Sequence, residues 1–141
     1  MEIIPAYQYD EAIRIEFWDN VNNKQTWIIS GGIFGFLGVA IGAFGAHGLS
    51  DVLTAAMLGI YKTGVLYQLI HAVVILAIGL SGEQRFFTAA MFFAAGIILF
   101  SFSLYVYSIT GITAAAMVTP FGGLCFLAGW LLVIIKGIRK T

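Results

Sequence analysis

WIISGGIFGFLGVAIGAFGA, residues 27–46, is a run of twenty residues without a single charged side chain. A transmembrane helix needs about 20 mostly apolar residues, because the hydrocarbon core of a bilayer is about 30 Å thick and a helix rises about 1.5 Å per residue. This stretch therefore predicts a membrane-spanning helix.

Three further stretches are also mostly apolar, and they run from about Ile60 to Leu80, Phe86 to Ser108 and Thr119 to Ile135. Ser50-Asp51 looks like a helix N-cap, so Val52 to Gly59 could form an interfacial turn or two before the second span. The chain is 60% hydrophobic and 10% charged, against about 25% charged in a soluble domain. A chain of 141 residues is too short to bury so much apolar surface in water. We predict an all-α integral membrane protein in which residues 27–141 form a compact bundle of four transmembrane helices.

Residues 1–26 form a polar, acidic N-terminal extension. They hold five of the seven acidic residues of the chain, which is the wrong charge for a secretory or transit peptide, so we expect the extension to be retained. The apolar side chains of Ile13, Phe17, Trp18 and Val21 fall on one side of a helix. This pattern favours a short helix at the membrane interface, with a solvated tail as the alternative.

The basic residues predict the orientation of the chain in its membrane. Lys62 alone lies near the loop between the first and second spans. The other six flank the opposite ends of the spans: Arg14, Lys24, Arg85, Lys136, Arg139 and Lys140. Because basic residues are enriched on the inner side, both termini are expected on the cytoplasmic or matrix side.

Glycines recur every three or four residues along the first span: Gly31, Gly35, Gly38, Gly42 and Gly45. Membrane helices associate by close packing, and missing side chains let two backbones approach each other. The stripe therefore predicts a helix-packing groove. A dinucleotide-binding loop is disfavoured, because that fingerprint requires a preceding strand and a soluble βαβ unit.

Polar residues form two further stripes at membrane depth. Gly64, Gln68 and His71 follow helical spacing on the second span, next to Tyr67, and Ser101, Tyr105 and Ser108 do so on the third. Such groups must be paired inside the protein, and they are candidates either for hydrogen bonds that hold the helices together or for a functional site. We predict a buried polar cluster of Tyr67, Gln68, His71, Ser101 and Tyr105. In it, a neutral His71 is expected to hydrogen-bond to a hydroxyl of the third span.

The sequence indicates no catalytic residue, cofactor or metal site. Cys125 is the single cysteine, and no Asp or Glu lies inside a predicted span, so a closed metal site lacks ligands. His47 and His71 would differ in depth by roughly 15 Å, which disfavours a haem held by two histidines. The formal net charge is zero, which disfavours nucleic acid as a partner.

Five ordered motifs resemble those of the family of domain of unknown function 423. They are Gly42-Ala43-Phe44-Gly45-Ala46-His47-Gly48-Leu49, Tyr67-Gln68 with His71-Ala72, Phe100-Ser101 with Ser103-Leu104-Tyr105, Thr119-Pro120 with Gly122-Gly123, and Gly129-Trp130. This family includes bacterial YgdD-like inner-membrane proteins and the small eukaryotic transmembrane protein 256. The resemblance implies a four-helix protein of a bacterial or mitochondrial inner membrane, with no established activity.

Three functions are compatible with these features. The first is a small non-enzymatic inner-membrane protein, acting alone or as an accessory subunit of a larger membrane complex. The second is a small oligomeric transporter or channel. The third is a quinone- or lipid-binding subunit that uses Tyr67, His71 and Tyr105 around a pocket between helices. The expected partners are membrane lipid and either a larger complex or further copies of the chain.

Overall fold

A computed structural model describes the backbone of residues 6–138 and the side chains of residues 23–138. The helices are α1 (Ala6–His47), α2 (Ala55–Ser81), α3 (Phe87–Gly96), α4 (Phe102–Thr110) and α5 (Thr113–Ile138). A 3-10 turn, Gln84–Phe86, precedes α3, and a π turn, Ile97–Ser101, joins α3 to α4. Four stretches are long and apolar enough to cross a membrane: Asn23–His47, Ala55–Ser81, Gln84–Thr110 and Thr113–Ile138. The predicted all-α class with four membrane helices is thus confirmed.

The helix boundaries correct two details of the sequence prediction. The N-cap of α2 is Thr54, whose side chain accepts a hydrogen bond from the Met57 amide, so the expected cap at Ser50-Asp51 was wrong. The fourth span begins at Thr113 rather than near Thr119. Pro120 consequently lies inside α5.

The N-terminal extension continues directly into the first span. Helix α1 runs without a break from Ala6 to His47, so the extension does not form a separate short helix. The predicted apolar stripe between residues 13 and 21 lies outside the residues whose side chains are described. Its position at the membrane interface stays a prediction.

The third span, from Gln84 to Thr110, lies at the centre of the packing. Helix α1 packs chiefly against α2, whereas both α2 and α5 pack against the third span. The main core cluster accordingly joins Ile75 and Ile78 of α2, Phe93 and Ile97 of the third span, and Phe126 of α5. One end of the bundle is called the Arg85 end, where α2 and α5 end and the third span begins. The opposite end is called the His47 end.

Four of the five predicted packing glycines of α1 approach α2. A Cβ atom on Gly31 would lie 2.7 Å from the Leu76 backbone nitrogen, and one on Gly38 would lie 2.7 Å from a methyl group of Leu69. Gly42 approaches Val65, and Gly45 approaches the Tyr61 ring. A Cβ on Gly35 would meet nothing within 4 Å, so its predicted place in the groove is wrong. Residues 31, 38 and 45, spaced seven apart, form the centre of the face that contacts α2, and Gly35 lies at the edge of that face.

Helix α5 uses the same seven-residue glycine spacing, which the sequence analysis did not single out. A Cβ on Gly122 would overlap the backbone nitrogen of Phe100 in the π turn. A Cβ on Gly129 would lie 2.6 Å from the Phe93 ring. These two glycines bring α5 close to the third span.

Candidate functional site

The predicted polar residues form two separate clusters rather than one. Gln68 and Tyr105 belong to a closed network between α1, α2 and α4, whereas Tyr67 and His71 line a cleft between α2 and α5. Ser101 belongs to neither network: it is fully buried, and its hydroxyl has no hydrogen-bond partner in the described part of the chain. The single predicted cluster is therefore wrong in this respect.

Gln68 ties three helices together. The Tyr105 hydroxyl donates to Gln68 Oε1 at 2.8 Å, and Gln68 Nε2 donates to the Phe34 carbonyl of α1, also at 2.8 Å. The neighbouring Tyr61 hydroxyl donates to the Ile41 carbonyl at 2.8 Å. These polar groups satisfy one another inside the protein, as the surrounding hydrocarbon requires. This network holds the helices together, and each polar side-chain atom of Gln68 and Tyr105 has a partner in it.

Hydroxyl pairing between the third span and α5 occurs at a position the sequence analysis did not select. Ser103 and Thr119 share a hydrogen bond of 2.8 Å. Ser108, which was placed on the predicted stripe, instead donates to the Tyr105 carbonyl of its own helix. Ser108 therefore makes no interhelical hydrogen bond.

His71 is buried and bonded at both ring nitrogens. Its Nδ1 lies 2.7 Å from the Tyr67 carbonyl, and the Trp130 indole donates to its Nε2 at 3.2 Å. A carbonyl can only accept and an indole can only donate, so both contacts are satisfied by a neutral ring with its proton on Nδ1. The expected partner, a hydroxyl of the third span, was wrong, because α5 rather than the third span faces this side of His71.

The His71 ring is also held by aromatic stacking. It lies on the Phe126 ring with a centroid distance of 3.7 Å and an interplanar angle of 8°. Tyr67, one turn earlier on α2, packs against Phe100 at a centroid distance of 4.6 Å. These contacts fix the orientation of both polar side chains along the wall between α2 and α5.

A cleft of about 490 Å³ lies beside this wall, within the membrane span. It is lined by Tyr67, His71, Phe100, Pro120, Gly123, Leu124, Phe126, Leu127 and Trp130. It opens sideways between α2 and α5, where Leu124 and Leu127 are exposed. The cleft is therefore accessible from the hydrocarbon of the membrane.

One polar group at the cleft remains open for a ligand. The Tyr67 side chain is 39% exposed, and its hydroxyl has no partner among the described residues. A mostly apolar hollow with a few polar groups is the usual form of a small-molecule site.

The sequence analysis found Tyr67 and His71 but missed the α5 wall of the cleft. Pro120 and Trp130 were part of the family motifs without a role assigned to them. Pro120 at the start of the predicted fourth span and Trp130 well inside it were the available signals. The predicted third member, Tyr105, lies in the Gln68 network instead.

The described residues contain no candidate metal site. Within residues 23–138, no three His, Cys, Asp or Glu side chains lie close enough together to hold a metal ion. His47 is exposed at the end of α1, and Cys125 is partly buried on α5 with a free thiol.

We expect the bond between His71 and Trp130 to couple α2 and α5 energetically. His71→Leu removes the acceptor and leaves the indole N–H unpaired, which should cost about 1 kcal/mol, the size of an interhelical hydrogen bond in a membrane. His71→Gln keeps an acceptor and should cost less. Thermal unfolding in detergent of His71→Leu, Trp130→Phe and the double variant measures the coupling. Strictly additive losses would mean that this hydrogen bond contributes nothing.

Comparison with known proteins places the chain beside uncharacterised membrane proteins. Residues 41–123 match the model of the family described as protein of unknown function (DUF423). The UPF0382 inner membrane protein YgdD of Escherichia coli K12 is 41% identical over 116 residues, covering 79% of this chain and 88% of its own length. The UPF0382 membrane protein YwdK of Bacillus subtilis is 39% identical over 120 residues, covering 82% and 98%. No solved structure matches the chain.

Proposed function

Because this chain belongs to the DUF423 family of membrane proteins, whose activity is unknown, we propose a function from the geometry of the cleft. The protein is non-enzymatic and binds the apolar chain of a membrane lipid between α2 and α5. The observation that carries this proposal is the cleft of about 490 Å³ that opens to hydrocarbon.

The geometry favours binding over ion-coupled transport. Coupling at membrane depth needs a side chain that can gain and lose charge. The four spans contain no Asp or Glu, since Asp51 and Glu83 lie in the loops between them. Lys62 of the second span is exposed near the His47 end and does not line the cleft. Both nitrogens of His71 are already engaged by neutral partners. A transporter or channel, an accessory role in a larger complex and a homo-oligomer remain predictions without a structural observation of their own.

Quenching of Trp130 fluorescence tests whether lipid chains enter the cleft. Trp18→Phe and Trp27→Phe leave Trp130 as the only tryptophan, and the protein is reconstituted with a minor fraction of lipid that carries bromine on its acyl chains. The control replaces Trp130 by Phe and Ile29 by Trp. Ile29 is 60% exposed on α1, which supplies no residue to the cleft.

We expect stronger quenching of Trp130 than of the tryptophan at position 29. A third variant, Gly123→Leu, fills the cleft from its wall, where a Cβ meets only the Phe100 ring at 4.0 Å. It should reduce the quenching of Trp130 to the control level. Equal quenching at both positions would show that the cleft is no more occupied by lipid chains than the open surface, and the proposal would be wrong.

Cysteine labelling tests the orientation, which the proposal takes from the Lys/Arg distribution. In a Cys125→Ser background, cysteines at Glu83 and Lys140 should react with a membrane-impermeant reagent from the cytoplasmic or matrix side. A cysteine at Asp51 should react from the other side. Arg85 donates to the Lys136 carbonyl at 3.2 Å, so the loop that contains Glu83 and the end of α5 share one end of the bundle. Labelling of Glu83 from the outer side would reverse the assigned orientation.

A further inference from the structure

A second hollow continues the groove between α2 and α5 toward the Arg85 end. It measures about 350 Å³, and its walls include Val74, Ile78 and Ser81 of α2 and Val133 of α5. Trp130 lines both this hollow and the cleft. From Pro120 to Val133 the groove extends about 20 Å at a rise of about 1.5 Å per residue. One leaflet of the hydrocarbon core is about 15 Å thick, so the groove is long enough for an acyl chain.

Two basic residues flank the mouth of the groove. The Arg85 guanidinium carbon lies 4.8 Å from the centre of the Phe86 ring, and Phe86 lines the second hollow. Lys136 follows Val133 by about one turn of α5, and its carbonyl accepts a hydrogen bond from Arg85. Both cations therefore lie where a lipid whose chain fills the groove would place its headgroup.

The local charge at this mouth is positive. Glu83 forms a salt bridge with Arg85, so its carboxylate is already compensated. The Lys136 ammonium has no hydrogen bond or ion pair within the described part of the chain. A negatively charged group at this position would meet an available cation, whereas a headgroup without net charge would gain less.

We propose that the groove selects an acidic phospholipid. Its phosphate lies at Lys136 beside Arg85, and one acyl chain follows the groove past Trp130 into the cleft. This inference rests on the proposed binding of an apolar chain and adds the charge of the headgroup. A neutral phospholipid would bury the same apolar chain, so the headgroup contact with Lys136 decides the preference.

Native mass spectrometry of the full-length protein in detergent tests the selectivity. The protein is mixed with equal amounts of phosphatidylglycerol and phosphatidylcholine that carry identical acyl chains. We expect wild type to retain phosphatidylglycerol preferentially. Lys136→Gln should reduce this preference about fivefold, because a basic side chain near an anionic lipid contributes about that factor. Lys62→Gln, an exposed lysine nearer the His47 end, should leave the preference unchanged.

The outcomes separate this inference from the proposed function. If wild type retains both lipids equally and Gly123→Leu releases both, the cleft binds chains without headgroup selection, and only this inference is wrong. An equal effect of Lys62→Gln and Lys136→Gln would likewise overturn it, because the preference would then reflect overall charge. If wild type retains neither lipid, the proposed function fails together with it.

Discussion

Gly122→Ala is expected to lower the thermal stability of the protein sharply. A Cβ at this position would overlap the Phe100 backbone nitrogen and lie 2.8 Å from the Leu99 carbonyl carbon. Backbone atoms of a packed helix cannot move aside as a side chain can, so α5 would have to separate from the π turn. Overpacking of this kind costs about 1–3 kcal/mol. We expect a loss near the upper end of this range, because the added methyl group meets backbone atoms.

Gly123→Ala is the matched control for this substitution. It adds the same methyl group to the neighbouring residue, where a Cβ meets only the Phe100 ring at 4.0 Å. Alanine is the better helix former by about 1 kcal/mol, so this variant should unfold at the wild-type temperature or above it. Thermal unfolding in detergent compares the two. Equal melting temperatures for both variants would show that α5 does not pack against the π turn at Gly122.

Gln68→Leu has the second large expected effect, because it removes both bonds of the Gln68 network at once. The Tyr105 hydroxyl and the Phe34 carbonyl would lose their partner in a region without water. Interhelical hydrogen bonds in membranes contribute up to about 2 kcal/mol each, so we expect a loss of about 2–3 kcal/mol for the pair.

Tyr105→Phe separates the two bonds of Gln68. Alone it should cost about 1 kcal/mol, because it breaks only the bond to Gln68 Oε1. In the double variant with Gln68→Leu it should add little further loss of stability, because the Tyr105 hydroxyl that Gln68→Leu leaves unpaired is no longer present. Unfolding in detergent of the two single variants and the double variant measures this. A double variant whose loss equals the sum of the single losses would show that the two side chains do not interact.

The four spans could be predicted from the sequence because hydrocarbon imposes one local requirement on each of them. Mostly apolar runs of about 20 residues satisfy it. The glycines at residues 31, 38 and 45 indicate a close helix contact, because helices in hydrocarbon associate by tight packing. Both signals depend only on residues within a single helix. They are therefore visible before the helices are packed together.

The predicted start of α2 was wrong because a tertiary contact in the preceding loop competes with local capping of the helix. Ser50-Asp51 has the chemistry of an N-cap, but Leu49 is buried with Tyr61 and Tyr105. The Leu49 carbonyl also accepts hydrogen bonds from Val52 and Leu53. Together these contacts hold a turn where a helix could have begun, and Thr54 becomes the cap.

Only the α2 wall of the cleft could be predicted, because its two walls come from helices that are far apart in the sequence. Tyr67 and His71 share a face of α2, and their spacing shows this. Phe126 and Trp130 meet these two side chains because of the way α5 packs on the third span. The glycines at 122 and 129 determine that packing. The sequence therefore predicted one cluster in which Tyr105 joins both Gln68 and His71, whereas the structure pairs Tyr105 with Gln68 and leaves His71 in the cleft.

Crosslinking with a photoactivatable acyl-chain lipid in membranes tests the central claim most directly. Leu124 and Leu127 line the cleft, and they are 61% and 67% exposed. Val39 of α1, at 64%, is equally exposed but lies outside the cleft. If the cleft binds a lipid chain, adducts identified by mass spectrometry should concentrate on Leu124 and Leu127, and Gly123→Leu should remove them. Equal labelling of Val39, Leu124 and Leu127, unchanged in the Gly123→Leu variant, would contradict the account.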